Sequence, residues 1–276
     1  MNSDGPALSG VRRWLILAIA ASGLFLICVD LTVLYVALPA LTRDLAASNS
    51  ERLWILNAYP IVVAGLLPGL GTLGDRYGHR LLFAVGLVTF GAASLAAAYA
   101  HSPLVLIAAR AGLGVGAAMM MPATLAIIRT TFSDAHERTF AIGLWAGIAS
   151  GGMALGPLIA GLLLEKFWWG SVFLINVPVI VLTIVAVSTL MPESRSAVAP
   201  RLDPLGVVLS TAGLVALTYG VIEAGDKGWG NTLALACMLG GAGVLVLFVG
   251  WERRVGRTGT PVVDLALFRL PGFSWG

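Results

Sequence analysis

Residues 53–74 and 81–100 each run through about the thickness of a bilayer core without one Asp, Glu, Lys or Arg. In hydrocarbon the backbone must satisfy its own N–H and C=O groups, and a helix of roughly 20 residues does so. The pattern recurs between charged breaks and predicts eight spans, at 14–40, 53–74, 81–100, 103–128, 139–163, 169–191, 205–224 and 230–251. Composition agrees, with 58% hydrophobic and 11% charged residues against roughly 25% charged in soluble domains. The predicted fold class is all-α, a polytopic membrane protein. The first run exceeds the ~7–15-residue core of a cleaved signal peptide and carries Asp30, so it reads as a retained span. Cys28 and Cys237 lie singly inside apolar runs and read as buried thiols, with no disulfide and no metal site expected.

The net charge of +3 does not point to nucleic acid, because the basic residues are spread over loops rather than gathered on one face. They orient the chain instead. With a cytoplasmic N-terminus, only Arg43, Arg52, Lys166 and Lys227 of the 17 basic residues fall outside, Arg110 lies within a span, and the others are inside. This bias follows the positive-inside rule and predicts that both termini of this chain are cytoplasmic.

Between the second and third spans stands "GTLGDRYGHR", residues 71–80. Gly71 and Gly74 permit close helix approach, Gly78 suits the positive φ of a tight turn, and Asp75 is expected to sit against Arg76 and Arg80. The loop "RTTFSDAHERTF" at 129–140 is predicted on the same side. Its Asp134 and Glu137 are expected to pair with Arg76 or Arg80 in a charge cluster that makes and breaks. A plain solvated turn would satisfy the positive-inside rule equally well.

The pattern G-x-L-G-D-R-x-G-x-R resembles the motif-A loop of the major facilitator superfamily, which also follows the second span. Four further stretches agree in order. "DLTVLYVALP" at 30–39 resembles the first-span signature of the family's drug:proton antiporters with fourteen spans, and "RAGLGVGAAMMMP" at 110–122 resembles the fourth-span motif. The glycine series at 143–161 resembles the antiporter motif of the fifth span, and "FLINVP" at 173–178 is similar to a sixth-span stretch of that subgroup. Leu113 stands where the family often has glutamine, and motif A ends here in His79–Arg80. The resemblance implies a six-helix bundle plus two additional helices. It further implies proton-coupled efflux of lipophilic, cationic drugs or metabolites across the plasma membrane, with no enzyme chemistry, no catalytic residue and no cofactor beyond the proton gradient. The implied partners are the substrate, protons and the bilayer.

Asp30 is the only acid well inside the first six spans, where insertion costs about 2.5–3.5 kcal/mol. Either it takes up and releases a proton or cation, or it is permanently paired with Arg110 and locks spans one and four together. Gly23, Asp30 and Ala37 recur every seven residues, and the small residues are expected to leave room for water or a ligand. Arg110, Gly114 and Ala118 share a helix face. The resemblance implies proton coupling by Arg110; the other reading is an arginine snorkelling to the outer interface.

In the fifth span Gly143, Gly147, Gly151 and Gly161 project within about 80° of one another, with Gly152 and Gly156 opposite, so two close-packed partners are expected. Pro157 is expected to bend that helix near its middle. Trp54 and Tyr59 are candidates to line a substrate cavity, although single aromatic residues also serve as packing or interfacial anchors.

The expected organisation is a six-helix bundle at 1–192, a short cytoplasmic linker at 193–204, an additional helix pair at 205–251, and a cytoplasmic tail at 252–276 that stops before a ninth span. The bundle should hold an inverted three-plus-three repeat, and a second bundle or a second copy would complete a transporter. Two other readings stay open: a transport-incompetent half that pairs with or regulates another half, and uptake of a different small solute.

Overall fold

A computed structural model describes residues 9–193 and 203–258, and among these the chain forms helices and no strand. Residues 194–202 of the expected linker at 193–204, and the part of the expected tail at 252–276 that follows residue 258, lie outside the described residues.

The helix boundaries follow from capping chemistry. Helix α1, Gly10–Asp44, starts where the Ser9 hydroxyl accepts the Arg12 backbone N–H. Helix α2, Asn49–Tyr77, opens with a capping box: the Ser48 hydroxyl accepts the Glu51 N–H at 3.3 Å, and the Glu51 carboxylate accepts the Ser48 N–H at 2.8 Å. These bonds hold the Glu51 carboxyl below its usual range. Helix α3 is His79–Ala98, and α4, Pro103–Thr131, is capped by Ser102 with proline preset in its first turn. Helix α5, Ala135–Lys166, is capped by Asp134, which accepts the Glu137 N–H at 2.8 Å. The short α6, Ser171–Leu174, and α7, Asn176–Leu190, together form one span. Helices α8, Pro204–Lys227, and α9, Thr232–Thr258, complete the described chain.

Among the described residues seven helices are long and apolar enough to cross a membrane, and α2, bent by 55° between Asn49–Leu67 and Gly69–Tyr77, brings the number to eight when its two parts count as one span. The break lies between Leu67 and Gly69. All eight predicted spans are therefore present. Helix α5 runs without a break through Pro157.

Helix α1 packs along α5, α4 along α2 and α3, and α7 against α1 and α3. Helix α8 joins through α2, and α9 lies on α8. If the first three spans are matched to the next three, α1 on α5 corresponds to α4 on α2. Both α1 and α4 also carry an internal proline, Pro39 and Pro122.

Small residues set the helix spacing. A Cβ on Gly116 would lie 2.8 Å from the Phe90 backbone nitrogen and 2.9 Å from the Gly86 carbonyl, so α3 and α4 touch backbone to backbone. The two glycine faces of α5 differ. Gly152 and Gly156 press on α1 at Cys28, Val29 and Thr32, and a Cβ on Gly156 would overlap the Thr32 hydroxyl. Gly143, Gly147, Gly151 and Gly161 have nothing within 4 Å of such a Cβ among the described residues. One close partner is present where two were expected, because no described element covers the second face. The space expected beside Asp30 is also filled: the Phe83 ring occupies the notch at Gly23, and Ala37 is fully buried.

This asymmetry is measurable as stability. Gly116→Ala should cost about 1–3 kcal/mol through overpacking against backbone. Gly147→Ala should leave stability unchanged or raise it by up to about 1 kcal/mol, the helix-propensity gain. Thermal unfolding of the two variants in lipid nanodiscs checks the contrast.

Candidate functional site

At the centre of the bundle, α1 presents Asp30 with no exposed surface and α4 presents Arg110 at 1% exposure. Arg110 Nη1 donates to Asp30 Oδ2 at 2.5 Å. The same guanidinium donates through Nε to the Ile55 carbonyl of α2 at 3.3 Å and lies 4.6 Å above the Tyr59 ring. On the other carboxylate oxygen, Asn176 Nδ2 donates to Asp30 Oδ1 at 3.3 Å and to Ser94 Oγ of α3 at 3.2 Å. One polar network thus ties together α1, α2, α3, α4 and α7.

Local structure explains the placement. Arg110 and Gly114 are four apart on one face of α4. A Cβ on Gly114 would sit 2.8 Å from the Tyr59 carbonyl, so the missing side chain lets α2 approach and brings Tyr59 under the guanidinium. Asn176 begins α7 directly after the interruption at Ile175, which aims its amide at the bundle axis. The snorkelling reading of Arg110 is thereby overturned: the pull of a buried carboxylate outweighs the route to the interface. Tyr59 belongs to the network, whereas Trp54 does not. Trp54 packs 5.9 Å from the Tyr219 ring of α8.

The charged loop is arranged differently from expectation. Gly78 has φ of 111°, as a turn glycine should. Gly74 leaves room for the His79 ring, while Gly71 meets only Pro122, at 3.8 Å from a would-be Cβ. Asp75 takes His79 as its partner at 3.1 Å instead of an arginine. Arg76 lies exposed over the Tyr77 ring at 5.6 Å. Arg80 donates to the Ser188 carbonyl at 2.8 Å and Arg12 to the Leu190 carbonyl at 3.3 Å, so both arginines cap the end of α7.

The expected cluster between the two loops is absent among the described residues. Glu137 pairs with Arg13 of α1 at 2.6 Å, and Asp134 is held as the α5 cap. Each acid has a nearer donor than the motif-loop arginines. The Glu137 N–H also holds the Asp134 carboxyl below its usual range.

Sequence reasoning missed Asn176 and Ser94. Asn176 was visible only as a lone amide within "FLINVP" in an otherwise apolar run, and Ser94 as a small residue like its neighbours.

Losing one member of a buried pair strands the other. Above neutral pH, Arg110→Gln should cost about 3–5 kcal/mol, because Asp30 then keeps only the Asn176 amide. Asp30→Asn should cost less, since Arg110 keeps Tyr59 and Ile55, and the double variant should recover most of the larger loss. Detergent-titrated unfolding measures all three, and the reverse order of the single variants contradicts this account.

Residues 20–273 match the Major Facilitator Superfamily model. The multidrug efflux pump LfrA of Mycolicibacterium smegmatis is 41% identical over 263 residues, 95% of this chain and 51% of the relative. The methyl viologen resistance protein SmvA of Salmonella typhimurium is 41% identical over 257 residues, 93% of this chain and 51% of that one. The puromycin resistance protein pur8 of Streptomyces alboniger is 40% identical over 244 residues, covering 88% and 48%. The chain spans about half the length of these relatives. The solved proton:xylose symporter XylE, bound to 6-bromo-6-deoxy-D-glucose, aligns with a TM-score of 0.61 at 15% identity over 92% of this chain and 57% of that one, a likeness of fold. With a multi-pass helical architecture, a match over most of its length and relatives of this identity, the chain belongs to the Major Facilitator Superfamily.

Proposed function

We propose that this chain carries the proton-coupling machinery of an exporter of lipophilic, cationic drugs or metabolites, driven by the proton gradient. It would sit in the plasma membrane with both termini of the chain cytoplasmic. The observation that carries the reading is the buried Asp30–Arg110 pair, in which the cation has contacts independent of the anion.

When Asp30 is ionised, it neutralises Arg110 and the site has no net charge. When Asp30 takes a proton, the guanidinium is left with the Ile55 carbonyl and the face of Tyr59. Such contacts lower the cost of a buried cation that has lost its counter-ion. Protonation and deprotonation are then both accessible. Asp30 is also the one buried acid among the described residues of α1 to α7. A proton and a cationic cargo would compete for that single carboxylate, which is the minimal chemistry of exchange. The relatives, a multidrug efflux pump and two resistance proteins, support export as the direction.

Because the chain spans about half of each relative, we assign transport to an assembly in which another bundle or a second copy covers the open face of α5. That face also favours a second reading, a half that is inert alone and acts by pairing.

Two measurements separate these statements. In proteoliposomes holding the full chain, alone or with a second bundle supplied in trans, efflux of a fluorescent lipophilic cation should follow an imposed pH gradient. Asp30→Asn should lower that rate at least about tenfold, or about 1.4 kcal/mol in barrier, while the protein stays folded; undiminished gradient-driven efflux by the variant would sink the proton reading. Gly147→Leu should leave the unfolding temperature of the chain in place yet depress transport by a similar factor. If Gly147→Leu transports normally, the α5 face is not a working interface.

A further inference from the structure

The hydrogen-bond pattern around Asp30 poses a problem for the proton it is assigned. Oδ2 faces an N–H of Arg110 and Oδ1 faces an N–H of Asn176, so an acid proton placed on either oxygen would meet a donor. A protonated carboxyl needs an acceptor. The Asn176 amide, which already touches Asp30, carries a buried oxygen without a hydrogen-bond partner among the described residues; the Tyr59 hydroxyl is likewise unpartnered, but its ring is engaged with Arg110.

We propose that Asn176, with Ser94, is a two-state partner for Asp30, whose amide donates to the carboxylate and, after rotating by about 180°, accepts from the acid. This rests on the proton-binding reading of Asp30 and adds the positioning residues that make both forms tenable.

The chemistry is consistent in each state. With Asp30 ionised, the two hydrogens on Asn176 Nδ2 go one to Asp30 Oδ1 and one to Ser94 Oγ. With Asp30 protonated, the rotated amide oxygen offers one lone pair to the acid O–H and one to the Ser94 O–H. Serine can serve both states because its hydroxyl both accepts and donates. Rotation exchanges an unpartnered amide oxygen for two unpartnered amide N–H groups, a cost that the new bonds from the acid and from Ser94 offset. Asn176 is 1% exposed and Ser94 is fully buried, so bulk water does not replace these bonds.

Few charges compete at the site. Facing Asp30 are Arg110 from α4 and Tyr59 from α2, with Cys28 two residues away on α1. Helices α6 and α7 contain no titratable residue. Those of α3 and α5 lie at the helix ends: His79 and Arg80 open α3, and the ionisable groups of α5 fall within 136–138 and 165–166.

The test is infrared difference spectroscopy of the full chain in lipid, as a function of pH, with isotope-labelled asparagine side chains. A carboxylic-acid band that titrates in the wild type and is lost in Asp30→Asn identifies the Asp30 proton. The expected result is a labelled amide C=O band that moves to lower frequency with the same midpoint as that acid band. It should vanish in Asn176→Leu, and its shift should shrink in Ser94→Ala, which leaves the amide in place if the leucine variant does not fold. An acid band that titrates while the labelled amide stays silent overturns the amide proposal and leaves the proton reading standing. Absence of any Asp30 acid band overturns the proton reading, and the amide proposal with it.

Discussion

A carboxylate and a guanidinium, 80 residues apart in sequence, are both removed from solvent at the middle of the bundle. Each alone would be costly to bury, and together they compel α1 and α4 to stay within reach. Because Arg110 also reaches α2 and Asp30 also reaches α7, the demand for polar satisfaction fixes how five helices meet. Apolar packing in a bilayer does not discriminate strongly between helix pairings, since lipid tails are as apolar as leucine. The polar centre supplies that discrimination. The glycines of α3 and α4 then allow the approach it requires.

Charges at the membrane edges follow a different rule. They pair at the helix ends: Asp75 with His79, Glu137 with Arg13, and the last carbonyls of α7 with Arg12 and Arg80. Near water an ionic partner is worth little, so proximity decides which one is taken. The motif loop therefore serves less as one knot of charge than as two anchors, a histidine held beneath the turn and an arginine that ties α3 to the end of α7.

How much of this could be read from residues alone depends on contrast. The spans were legible because charged breaks stand out between apolar runs, and Asp30 and Arg110 because a charge inside such a run is conspicuous. Asn176 and Ser94 were not, since a neutral amide and a hydroxyl scarcely alter hydropathy and their meeting depends on tertiary structure. Asp75 illustrates another limit. Arg76 is adjacent in sequence but projects about 100° away on the helix, while His79, across the Gly78 turn, folds back beneath it. The α5 glycines were legible as two faces, yet only the structure distinguishes the occupied face from the open one.

That distinction connects the buried pair to the surface. The occupied face of α5 bears on Cys28, Val29 and Thr32, the turn of α1 that carries Asp30. At Gly156 the contact has no slack, because even a methyl group would overlap the Thr32 hydroxyl. No compliant side chain stands between that turn and α5, so the positions of the two helices are directly coupled at this contact. The open face of α5, with its row of glycines, lies on the other side of the same helix. The small residues thus do two jobs along one helix: on one side they hold α5 tightly against the turn of α1 that carries Asp30, and on the other they leave a smooth surface suited to close helix packing.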